Sequence, residues 1–101
     1  MATITIPTEK IITAAQREAE AINGAWDALR AERDRRLAEH DWRLTRHYEE
    51  SMRDGVVPTL TPEMFDALFA YRVALRDLPA NTVDPMNPVW PEPPEFLAAE
   101  E

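Results

Sequence analysis

The chain of 101 residues contains no cysteine, so disulfides, thiolate metal sites and thiol nucleophiles are excluded. It has only two glycines, Gly24 and Gly55, and therefore no glycine-rich loop to cradle a phosphate. No apolar run approaches the ~18 residues that a membrane-spanning helix needs, and the N-terminus has no basic-then-apolar leader pattern. Positive charge is scarce: 11 basic residues against 19 acidic ones give a net charge of −8. That balance argues against nucleic acid or an anionic membrane as the main partner, since both require concentrated positive charge. With 45% hydrophobic residues the chain is not generally disordered. At this length it forms one domain at most, and oligomerisation or a partner is a natural way to bury more surface.

Charge and proline are distributed unevenly. Arginines gather between Arg30 and Arg53 among nearly as many acids, whereas every charge from Asp77 to Glu101 is acidic. The acidic tail either keeps the chain soluble or lies on a basic surface. Residues 79 to 94 hold six prolines and still carry Trp90. Such a stretch is neither helix nor central strand, and a solvated linker has no use for an indole. It reads as an extended arm with Val83, Met86, Val89 and Trp90 as contact points, docked on this chain or on a partner.

The remaining pattern is helical, and the expected fold is all-α. Residues 1–7 form an extended segment in which Ala-Thr-Ile-Thr-Ile alternates like a strand until Pro7. Residues 8–78 form the helical domain, and residues 79–101 the proline-rich arm and acidic tail. A long N-terminal helix starts at Thr8 as N-cap and runs to about Glu39. Ile11, Ala15, Ala19, Ile22, Trp26 and Leu29 give it an apolar seam at spacings of three and four, with Arg33 and Leu37 continuing it more weakly. The seam belongs to one arm of a helical hairpin, or to a homo-oligomer formed through the long helix. A short middle helix covers 43–54, with Leu44, Tyr48 and Met52 on one side and Gly55 as its left-handed C′ residue. Thr61-Pro62-Glu63 is a helix start: an N-cap hydroxyl, proline at N1 and an acid in the first turn. That helix runs to about Asp77, buries Phe65, Leu68, Phe69, Arg72, Leu75 and Leu78, and stops at Pro79. Glu95 to Glu101 make one helical turn around Phe96 and Leu97, or fray.

No motif supports catalysis, and no cofactor is implied. His40 and His47, with Glu50 a turn beyond, could in principle ligate a metal, but their spacing matches no recognised helical ligand set, and both read as solvated. The tryptophans are more telling. Trp26 fits the seam, Trp42 stands at a helix boundary where it could wedge between the helical arms, and Trp90 lies in the arm.

Three segments together carry a resemblance: Arg33-Asp34-Arg35-Arg36-Leu37 leading to Asp41-Trp42 and Thr45-Arg46-His47; Leu60-Thr61-Pro62-Glu63 leading to Tyr71-Arg72 and Leu75-Arg76-Asp77-Leu78-Pro79; and Trp90-Pro91 with Pro93-Pro94. Over about residues 30–94 the chain resembles the small tail assembly chaperone-like proteins of tailed bacteriophages, often linked to tail-fibre genes. The stretch from Tyr71 to Pro79 is the most specific part. The tryptophan that family members often place just before the Tyr-Arg pair is absent, and Leu68 and Phe69 stand there. The resemblance implies a non-enzymatic phage tail protein that binds other tail or tail-fibre proteins, in the host cytoplasm during assembly. The alternative is a permanent structural subunit of the virion tail or fibre-attachment region. The residues expected to contact a partner are Trp42, Tyr71, Arg72, Arg76, Asp77, Trp90 and Pro91. Arg72 and Arg76, one turn apart, would grip carboxylates or carbonyls while Trp90 fills an apolar pocket.

Overall fold

The computed structural model describes residues 13–99. These form four helices and no strand: α1 Ala14–Glu39, α2 Asp41–Ser51, α3 Pro62–Asn81 and the single turn α4 Glu95–Ala99. The proposed N-terminal strand and Thr8 lie outside the described residues.

The cap of α1 is Thr13 rather than Thr8. Thr13 is extended and accepts from the Gln16 backbone N–H at 3.1 Å, while the Gln16 side chain accepts from the Thr13 N–H at 2.9 Å. This reciprocal pair satisfies two backbone donors at once, which is why the helix begins there. The helix then runs to Glu39 and bends at His40 (φ −117°, ψ 10°), where α2 begins with no linker between them. In a straight helix the Leu37 carbonyl would accept from the Asp41 N–H. Here it accepts from the His40 N–H at 3.4 Å and from Arg72 Nη1 of α3 at 2.7 Å, and Arg72 Nη2 also donates to Asp41 Oδ1 at 2.8 Å. A guanidinium inserted into the carbonyl ladder is a physical cause for the bend.

Gly55 has φ +77°, the left-handed conformation that glycine adopts without strain. It lies in the turn after α2, whose C-cap is Met52, rather than at C′. The connector that follows is latched back to α2. Glu50 accepts from the Thr59 N–H (3.2 Å) and the Thr59 hydroxyl (2.9 Å). The Thr59 backbone bond, then its hydroxyl, then Arg46 and His47 hold the Glu50 carboxyl below its ordinary range.

Thr61 caps α3 by accepting from the Met64 N–H at 3.1 Å, with Pro62 at N1 and Glu63 in the first turn. The helix does not stop at Pro79 but continues to Asn81. In the last turn proline forfeits only one intrahelical bond, and other groups meet the nearby carbonyls. Thr82 Oγ1 donates to the Leu78 carbonyl at 2.6 Å, and Arg33 Nη1 donates to the Arg76 carbonyl at 3.3 Å.

The core gathers Leu60, Leu68, Tyr71, Leu75 and Leu97, with Leu37, Leu44, Met64, Phe65, Trp90 and Phe96 packed against it. α3 lies along the second half of α1. Each fully buried leucine there contributes about 1.5–3 kcal/mol of burial. The segment between α3 and α4 turns at Asp84–Asn87, where the Asn87 N–H donates to the Asp84 carbonyl at 3.1 Å. Trp90 then packs with its ring 4.1 Å from the Arg36 guanidinium carbon, beside Ala25, Ala28 and Leu29 of α1.

Candidate functional site

The side chains left outside this core define the surface available to a partner. On α2 the inward side is Arg43, Leu44 and His47, while Trp42, Tyr48 and Met52 point out, at 51%, 50% and 84% exposure. Leu44, Tyr48 and Met52 therefore do not share a buried side. Trp42 does not wedge between helices. It lies at the surface with the guanidinium carbons of Arg43 and Arg46 at 4.6 and 4.9 Å from its ring. The two histidines are not solvated as a pair. His40 is buried at 5% exposure and accepts from Arg43 Nε at 3.3 Å, with its ring edge-on to Tyr71. His47 stacks on Phe65 at 4.4 Å. Among the described residues no three His, Asp or Glu side chains are grouped to hold a metal ion.

His47 of α2 and Phe65 and Phe69 of α3 stack in succession between the two helices, with Phe65 and Phe69 6.2 Å apart and Tyr48 edge-on to Phe65 at 6.3 Å. Phe69, expected in the core, is 52% exposed. It borders a groove of about 240 Å³ between α2 and α3, lined also by Leu37, Leu44, Tyr48, Val73, Arg72 and Arg76. On the far side of Phe65 a second groove of about 380 Å³ is lined by His47, Val57, Pro58, Leu60, Pro62 and Asp66. Half-exposed aromatics beside apolar grooves are unusual on a monomer and mark binding surfaces.

Of the residues expected to meet a partner, the structure brings Arg72 and Arg76 to the first groove. Arg72 is occupied by Leu37 and Asp41, whereas Arg76 is mostly exposed and holds only its neighbour Asp77, Nε to Oδ1 at 3.0 Å. That contact lowers the Asp77 carboxyl below its ordinary range. Tyr71, at 6% exposure, is a core residue. Trp90 and Pro91 are half-buried away from this groove, Trp90 against α1. Phe65 packs against the core as expected, but its i+4 neighbour Phe69 is exposed, although such a pair of phenylalanines on a helix reads first as core; Tyr48, read on the same side as Leu44, is exposed as well.

A family model described as phage tail assembly chaperone protein matches residues 26–95. The chain belongs to that family. The match spans the second half of α1, both grooves and the docked arm, and it gives the protein a role in phage tail assembly. The comparisons with curated proteins and with solved structures gave no match.

Proposed function

We propose that this tail assembly chaperone family member works without catalysis, by holding an apolar segment of another tail or tail-fibre protein in the groove between α2 and α3. The observation that carries this reading is the exposure of Phe69 and Tyr48 beside that groove, within the family-matched region. Arg76 supplies the polar contact. Its exposed pairing with Asp77 is worth little, so it exchanges readily for a carboxylate or carbonyl on the partner. Among the described residues no helix is long and apolar enough to cross a membrane.

The test is co-expression with the tail and tail-fibre proteins of the same phage, followed by affinity purification of Phe69→Ser and Arg76→Glu beside the unaltered chain. Both variants should keep the melting temperature and lose a defined tail partner. A partner retained by both variants would sink the reading. Mass spectrometry of purified virions then separates the two modes of action. A transient chaperone is absent from particles, and a permanent subunit is present in fixed stoichiometry.

A further inference from the structure

The two grooves lie on one stripe of α3. At 100° per residue, Pro62, Phe65, Phe69, Val73 and Arg76 fall within an arc of about 80°. Phe69, Val73 and Arg76 line the first groove, and Pro62 and Phe65 line the second. The groove centres are therefore about nine residues, or ~13 Å, apart along the helix axis. From Pro62 to Val73 the stripe is apolar. The Phe65 and Phe69 rings stack between the two grooves, and the adjacent α2 residues His47 and Tyr48 line one groove each.

The ends of the stripe differ in charge. Arg72 and Arg76 bring guanidinium groups to the first groove. Asp66 brings an exposed carboxylate to the second, which is also lined by Val57 at 87% exposure. Apolar grooves in line, with opposite charges at their two ends, fit a partner that carries the reverse order of charge. The chain as a whole carries a net charge of −8, which further favours a base on the partner beside Asp66.

We propose that one continuous segment of the tail partner crosses both grooves, with an apolar side chain in each and a lysine or arginine against Asp66. The proposal rests on the groove reading above and adds to it a second anchor and a direction. About four residues of extended chain, or about nine of helix, cover ~13 Å, so a single segment reaches both sites. Helices with their side chains are ~10–12 Å across, which leaves two separate segments almost no clearance. A segment that runs on from groove to groove also covers the Phe65 and Phe69 rings, the largest apolar groups on the stripe.

The experiment uses the complex of the full chain with the tail protein that it captures on co-expression. The chain contains no cysteine, so a single Val57→Cys or Val73→Cys places a photo-crosslinker in one groove at a time. Both probes should label the same tail protein at sites within about ten residues of each other. A lysine or arginine should lie beside the site labelled from Val57→Cys. Asp66→Arg should keep the melting temperature and weaken binding by about tenfold, because it opposes like charges, and exchanging that partner base for glutamate should restore binding. Labelling from Val73→Cys alone overturns the proposal and leaves the first groove as the partner site. So does labelling of two distant segments or two different proteins, or an Asp66→Arg variant that binds as tightly as the unaltered chain. Labelling from neither probe removes the groove reading itself, and this proposal with it.

Discussion

Arg72 joins two points that its own helix does not contain, the Leu37 carbonyl at the end of α1 and the Asp41 carboxylate at the start of α2. Its side chain is 20% exposed, so the bond to the Leu37 carbonyl is partly shielded from water, whereas the one to Asp41, itself 61% exposed, is open to solvent and adds less. Bonds to charged groups in such settings are worth ~1.5–3 kcal/mol. Arg72→Met keeps the stem and deletes the fork; it should cost about 1–3 kcal/mol in urea unfolding. Lysine at this position should not restore the loss, because a single ammonium cannot span both acceptors in the same fork. A variant as stable as the unaltered protein would show that the bend is held by packing alone. Acid sensitivity is also a residue-scale property. Arg35, by hydrogen bond and charge, and then Arg36, hold the Glu32 carboxyl down to about 2 from an ordinary 4.5. The folded-state value is depressed, so this contribution is complete above about 4.5 and is lost as pH falls toward 2. Glu50 shifts in the same direction. Melting temperature should be flat from neutrality down to about pH 5 and then fall, and Glu32→Gln should flatten part of that fall.

At the scale of elements, what local chemistry decides was legible in advance. Thr61-Pro62-Glu63 starts α3 because cap, N1 proline and first-turn acid act within one turn. What depends on distant groups was not. Pro79 forfeits a single intrahelical bond near the end of α3, while Thr82 and Arg33 meet the Leu78 and Arg76 carbonyls of the same stretch, and the helix runs on to Asn81. Tyr71 reads as a surface aromatic beside Arg72 until α4 brings Leu97 into the same core. Two threonines compete to cap α1, and Gln16 makes Thr13 the better one. Within the arm, the order Asp84-Pro85 with Asn87 closing the turn is a local reverse-turn signal. The seam of α1 is half right: Leu29 is buried, while Ala15, Ala19 and Ile22 are exposed. The helix should therefore divide in stability. Ala19→Pro should remove helical signal from the projecting half with little change in melting temperature, whereas Leu29→Ala should cost ~2–5 kcal/mol. A large drop in melting temperature for Ala19→Pro would mean that the projecting half is covered in solution.

For the whole molecule, the decisive contacts are those that close the chain on itself. α1 and α3 pack on each other, and their shared core is completed by residues from outside the pair. The segment after Asn81 supplies the rest: buried Pro85, Trp90 under Arg36, and Leu97, almost fully buried in the same core as Leu68 and Leu75. Proline limits the entropy that this segment loses on docking, so a few contacts suffice to hold it. A charge-only reading of the acidic tail cannot reveal this, because the contacts come from the apolar residues between the acids. Trp90→Ala should cost about 2–4 kcal/mol of stability in the isolated protein. Leu97→Asp buries a charge in the core and should cost at least as much. A chain cut after Asn81 should keep most of its helical circular dichroism but lose its cooperative melt and bind a hydrophobic dye, as expected when helices persist without fixed packing. If the cut chain instead melts as sharply and as high as the full one, the arm is a passenger on a finished core, and Trp90 is free to serve a tail partner.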